Sequence, residues 1–223
     1  MSARDEIFAS IRRSLNVGPF DAPRRDAVAA RLAQAPVGIV PRRGQGEPAE
    51  RLATFKSEAE RVQATVAEVA SAADVPAEIA RYLRENNLPA TLRFGDDRRL
   101  AAMPWAATAL EIARGPSEGD DLNAASAAFA AVAETGTLAL VSGPDNPTTL
   151  NFLPDNHFAV LFADDLVADV ESVFAKLRTA YGLGALPRTV NFITGPSRSA
   201  DIEQTLLLGA HGPRRLHIVV VAG

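Results

Sequence analysis

The chain contains no cysteine. No disulfide, thiolate nucleophile, cysteine-held zinc or iron–sulfur cluster can be built from its own side chains. Histidine is nearly as scarce. The three residues, His157, His211 and His217, show neither the H-x-x-x-H nor the H-E-x-x-H spacing of a metal-binding helix, so no metal site is expected. A basic surplus is missing as well: the net charge is −4 and the pI near 5.5, which argues against a nucleic-acid partner. No apolar run approaches the ~20 residues of a membrane span. The opening "MSARDEIFAS" carries charges where a secretory signal needs an apolar core. These absences lead to the expectation of a cytoplasmic protein without a membrane span. P-loop, G-x-G-x-x-G and G-x-S-x-G signatures are absent too.

What is present suits a packed α/β domain. Over 223 residues, 47% are hydrophobic and 22% charged, enough to bury a sizeable core. "SARDEIFASIRRSL" sets Ile7, Ile11 and Leu15 four residues apart, behind Ser2 as a cap, and predicts a short amphipathic helix. Residues 17–50 hold five prolines and four glycines and read as an extended linker, with Arg24, Arg25, Arg42 and Arg43 scattered along it. The expected division is therefore 1–50, helix plus linker, and 51–223, the α/β domain.

Within that domain, "ERLATFKSEAERVQATVAEVAS" predicts one helix and "DVPAEIARYLRENN" a second. "PATLRFG" and "ALEIAR" read as strands, as do "FAAVA", "TLALVSG", "HFAVLF", "TVNFITG" and "RLHIVVV". "DDLVADVESVFAKLRTAYG" and "SRSADIEQTLLLG" read as helices. Continuous β-branched runs alternating with helices imply a mainly parallel sheet covered on both faces, a three-layer α/β/α sandwich.

Three stretches carry polar groups beyond what folding requires. "AETGTLALVSGP" places Glu134, Thr135, Gly136 and Thr137 directly ahead of a strand, with Ser142 and Gly143 after it. Gly136 permits a sharp turn, successive amides there can form an anion nest, and Glu134 is a candidate base or carboxylate nucleophile. A plain strand-to-strand turn explains the same four residues equally well. "LPDNHF" sets His157 at the start of a strand, as a second candidate acid–base group. "TGPSRSADIEQ" offers Gly195, Ser197, Arg198 and Asp201 at a predicted strand–helix turn, where a helix N-terminus and a guanidinium would receive an anion. On that reading His211 lies ~15 Å from Ser197, at the far end of the helix. Ligands of such sheets usually sit at the carboxyl ends of strands.

"AETGTLAL", the "LP-DNH" stretch and "NFITGPSRSADIEQTLLLGAHGPRRLHIVVV" together resemble the lactate-utilisation protein C family of the LUD-domain superfamily. The N-terminal "SARDEIFASIRRSL" is similar to that family's opening helix, whereas 17–120 matches only in outline. The chain has "AASAAFAAVAETGT" where members often show Gly-Ala-Asp. The resemblance implies a fold similar to the NagB/RpiA/CoA-transferase-like group. It implies a cytoplasmic system oxidising L-lactate to pyruvate, with iron–sulfur clusters on partner subunits. This chain would then be a non-redox subunit, binding no cofactor alone and holding a small carboxylate. The alternative is a stand-alone transferase or isomerase, because Glu134-Thr135-Gly136 is similar to the Glu-x-Gly turn in which related folds place an acyl-accepting glutamate.

Overall fold

A computed structural model of the protein describes residues 2–18, 20–34, 37–200, 206–209 and 211–222. Contacts divide the chain into two units, Met1–Ile39 and Val40–Gly223. The first holds α1 (Ala3–Ser14) and α2 (Ala22–Gln34). Ser2 and Asp5 close a capping box on α1: the Asp5 amide donates to Ser2 Oγ at 3.3 Å and the Ser2 amide to Asp5 Oδ2 at 3.0 Å. The α2 helix corrects the expectation of a structureless linker. Pro23 occupies its first turn, where no amide is needed, and eleven residues without Gly or Pro follow, so the prolines delimit this helix rather than break it.

The second unit runs α3 (Pro48–Arg61), β1 (Thr65–Val69), α4 (Val75–Glu85), β2 (Thr91–Phe94), α5 (Arg98–Ala101), β3 (Glu111–Arg114), β4 (Asn123–Ala127), β5 (Ala130–Val132) and β6 (Thr137–Val141). It continues with α6 (Thr149–Phe152), β7 (Asn156–Phe162), β8 (Leu166–Val167), α7 (Val170–Tyr181), β9 (Val190–Ile193), β10 (Arg198–Ala200), β11 (Leu206–Leu208) and β12 (Arg215–Val221). Six strands form one sheet, all parallel, in the order β1-β12-β7-β4-β2-β3. A second sheet has the order β8-β5-β6-β9, and β10 pairs with β11 antiparallel.

Alternation along the strands decides what each face meets. Phe158, Val160, Val219 and Val221 face α4, packing on Val75, Ile79 and Leu83. Ala159, Leu161, Ile218 and Val220 face the other way, onto Phe55 and Ala59 of α3 and onto Leu138 and Leu140 of the second sheet. The outer face of that sheet is closed by Val173 and Leu177 of α7. The α/β sandwich with a mainly parallel sheet is thus present, and one covering layer contains a small sheet as well as a helix. Among the described residues no helix is long and apolar enough to cross a membrane.

Four segments differ from the sequence reading. The helix expected from Asp164 begins only at Val170, because Leu166–Val167 pairs with β5 as a strand. The long helix expected from Glu50 to Ser71 stops at Arg61; Gln63 turns the chain with φ of 69°, and Thr65–Val69 pairs with β12. The β-branched Val66 and Val69 read as a helix face by spacing, but in contact with another β-branched strand they complete the sheet. β4 holds three alanines together with Asn123 and Ser126, residues that carry no strand signal. Its small side chains let α6 approach, and Ser126 Oγ donates to Asn151 Oδ1 at 2.7 Å. The helix expected over 197–209 is replaced, in its described parts, by the β10–β11 pair.

Asp169 caps α7. Its buried carboxylate accepts from the Ser172 amide at 2.8 Å and from Gln45 Nε2 at 2.8 Å. Asp169→Ala is expected to cost about 1–2 kcal/mol, read as a lower urea midpoint at unchanged slope.

Candidate functional site

A cavity of about 230 Å3 opens where the parallel sheet meets β9. Its floor comes from the amino ends of β7 and β12, through His157 and Leu216, and from Asn151 of α6. Ile193 and Phe192 of β9 supply an apolar wall, and Ser197, Arg198 and His211 stand around it. The expected location, the carboxyl ends of the strands, is therefore corrected. The loops after β6 and before β7 lead α6 to the start of β7, so the concavity forms there.

The floor is unusual in its chemistry. His157 is 1% exposed, and neither ring nitrogen has a hydrogen-bond partner among the described residues. Burial holds its pKa down at about 4, so the ring is neutral at physiological pH. Asn151 is fully buried; its oxygen accepts from Ser126, while its Nδ2 has no partner among the described residues. Unpaired buried polar atoms cost about 1–3 kcal/mol each, so two such residues lining one cavity mark a place where something else completes the bonding.

The turn after β9 is fixed from several sides. Gly195 has φ of 80°, and an added Cβ would lie 2.7 Å from Val62 O. The Arg198 guanidinium donates to the same Val62 carbonyl at the end of α3. The Ser197 amide donates to Pro213 O at 2.8 Å, and the His211 amide donates to Ser197 Oγ at 3.3 Å. The expected ~15 Å between Ser197 and His211 assumed a straight helix. The β10–β11 pair folds the chain back and brings the two together. Asp201 lies outside the described residues.

The remaining sequence candidates sit elsewhere. Ala133–Gly136 is the hairpin turn between β5 and β6. Thr135 and Thr137 hydroxyls are 2.7 Å apart, and Thr137 is 2.6 Å from the hydroxyl of Thr194, directly before Gly195. This hydroxyl chain ties the turn to the cavity wall without lining the cavity. Glu134 is 6% exposed; its amide donates to Ala168 O at 3.2 Å, its carbonyl accepts from Arg43 Nε at 2.6 Å, and Gly44 lies over it. It too is absent from the lining. Ser142 is at the opposite end of β6, where its Oγ accepts from the Thr189 amide at 2.9 Å, and Gly143 forms a turn with Asn146. The single pocket expected from all these residues is thus corrected: the turn near 135 adjoins the bend near 195, but Glu134, Ser142 and Gly143 do not share the cavity. Asn151 was not singled out in the sequence; a lone asparagine in "TTLNF" gives no sign of its burial.

Residues 125–221 match the LUD domain, and this stretch includes every cavity residue named above. A lactate utilization protein C from Exiguobacterium sp. is 33% identical over 183 residues, covering 77% of this chain and 78% of that protein. The chain belongs to the lactate utilization protein C family. Another member of that family, from Shouchella clausii, is 39% identical over 90 residues, or 40% of this chain. The match spans 39% of the Shouchella protein's length. The crystal structure of a DUF162 family protein from Deinococcus radiodurans superposes with a TM-score of 0.57 at 25% identity, covering 80% of this chain and 100% of that one.

Proposed function

We propose that this chain is the non-redox subunit of a cytoplasmic L-lactate utilisation system, in which partner proteins carry iron–sulfur clusters and oxidise lactate to pyruvate. The observation that carries the reading is the His157 cavity, a small, partly apolar chamber with unpaired polar groups at its floor, within a chain of this family. Its size suits a metabolite of a few heavy atoms rather than a dinucleotide. With no cysteine in the chain, cysteine-held redox clusters belong on other subunits. The cavity then supplies binding: Arg198 and the bend at 195–197 meet a carboxylate, and the floor meets the rest.

Deleting the gene from its host should abolish growth on L-lactate as sole carbon source while leaving growth on pyruvate intact. The wild-type copy should restore it. Undiminished growth of the deletion strain on lactate would contradict the reading.

A further inference from the structure

We infer that the unit formed by α1 and α2 lays arginine-edged apolar faces on an anionic lipid bilayer, so that the chain works as a peripheral protein at a membrane surface.

The argument starts from apolar side chains that pack on nothing. Ile7, Phe8 and Ile11 of α1, Leu15 at its end, and Val28 and Leu32 of α2 are all exposed, and none of the described residues of either helix is buried. Helices of 12 and 13 residues are marginal alone in water, so a docked face is what would hold them. Phe20, in the connection between them, is 84% exposed. The groove of a protein partner takes one helical stripe and has no place for an aromatic in the turn, whereas a bilayer interface takes both.

Charge is sorted to match. On α2, Arg24, Val28, Arg31 and Leu32 stand at i, i+4, i+7 and i+8, on one face, and Arg25 borders it three residues before Val28. Asp26, two residues from both Arg24 and Val28, is turned to the other side. On α1, Arg4 is in line with Ile7 and Ile11, and the guanidiniums of Arg4 and Arg12 lie 5.5 and 5.8 Å from the Phe8 ring centroid. The acids avoid this face: Asp5 is engaged by Ser2 in the capping box, and Glu6 shares the side of Ser10 and Arg13. Met1–Ile39 holds six arginines against four acids, in a chain whose net charge is −4. Positive charge is thus gathered beside the exposed apolar residues. Long arginine stems let the guanidiniums reach phosphate headgroups while Ile11, Leu32 and Phe20 sink among the acyl chains.

The test is flotation of the full chain with vesicles of phosphatidylcholine alone, or of phosphatidylcholine with about 30% phosphatidylglycerol, at ~0.05 M salt. The anionic vesicles should bind at least ~10-fold more tightly than the neutral ones, and ~0.5 M salt should release most of the chain. The triple variant Arg24→Gln/Arg25→Gln/Arg31→Gln should lose ~10-fold or more in affinity for anionic vesicles. Ile11→Ser/Leu32→Ser, which keeps every arginine, should lose a similar factor. Both variants should keep the wild-type melting temperature, because the replaced side chains are exposed. Equal binding to the two vesicle types, binding to neither, or binding untouched by both variants would overturn the inference. So would a chain that sediments as a dimer in vesicle-free buffer and becomes monomeric in Ile11→Ser/Leu32→Ser, since that assigns the apolar faces to a second copy.

Discussion

Replacing Gly136 by alanine is expected to remove about 3 kcal/mol of stability, a large fraction of the 5–15 kcal/mol typical of a domain. Two effects add. The residue has φ of 64°, a left-handed conformation that costs an L side chain about 1 kcal/mol. An alanine Cβ would also stand 2.4 Å from Ala59 N and 2.7 Å from Glu58 C, both backbone atoms of α3. Backbone in the last turn of a packed helix cannot yield as a side-chain tip can, so either the hairpin lifts or α3 shifts. Thr137 would move with it and strain the hydroxyl chain to Thr194, at the approach to the cavity. Guanidinium unfolding of Gly136→Ala should show a lower midpoint at the wild-type slope. A loss under about 0.5 kcal/mol, the range of ordinary surface substitutions, would mean that the turn does not rest on α3.

The second large effect is pH dependence. Two imidazoles are buried in the native protein, and burial is the first cause of depression in each. His157 is held at about 4 by burial alone. His217 is also held at about 4; Glu78, 3.1 Å from its Nε2, pulls upward and Arg81 pushes down, but neither outweighs burial. His217 is further enclosed by Tyr82, stacked at 4.1 Å between centroids, and by Thr65 Oγ1 at 2.8 Å from Nδ1. In the unfolded chain both rings titrate near 6.5. Between pH 6.5 and 4 the unfolded state therefore binds more protons than the native state, and stability rises with pH across that window. Acidification from pH 7 to 4 should cost on the order of 3 kcal/mol per ring. Glu78 and Asp169, whose pKa values are lowered, keep their contributions above the ordinary carboxylate range and lose them progressively as the pH falls through and below it. Urea midpoints at pH 7, 6 and 5 check this, and His217→Phe, which keeps a ring against Tyr82, should flatten about half of the slope. A stability that does not change between pH 7 and 5 would contradict it.

The fold was legible wherever local pattern and tertiary demand agreed. "HFAVLF", "TVNFITG" and "RLHIVVV" are strands because β-branched and aromatic runs have no other economical place than a covered sheet. The helices α4 and α7 announced themselves through spacing, with Pro76 in the first turn of α4 and Gly182 at the end of α7, but the start of α7 at Asp169 was not legible. β4 was hidden because alanine serves close packing against α6 and carries no β signal of its own. The leucines of β11 followed an acidic stretch that mimics a helix start, and pairing with β10 overrode that local preference. The same misreading separated Ser197 from His211. At the site, Gly136 and Gly195 do hold left-handed turns, but of the two it is Gly195 that lines the cavity. Which groups share a cavity was not legible, since it depends on the contact between two sheets. Glu134 looked available beside Gly136; the Arg43–Gly44 strap that covers it is ninety residues earlier in the chain.

The most direct measurement is NMR of the His157 ring, with ring-labelled histidine and His157→Leu for assignment. The ring should stay neutral down to about pH 4, and at pH 7 L-lactate should perturb its resonances. A ring that titrates near 6.5 and does not respond to L-lactate would contradict the account.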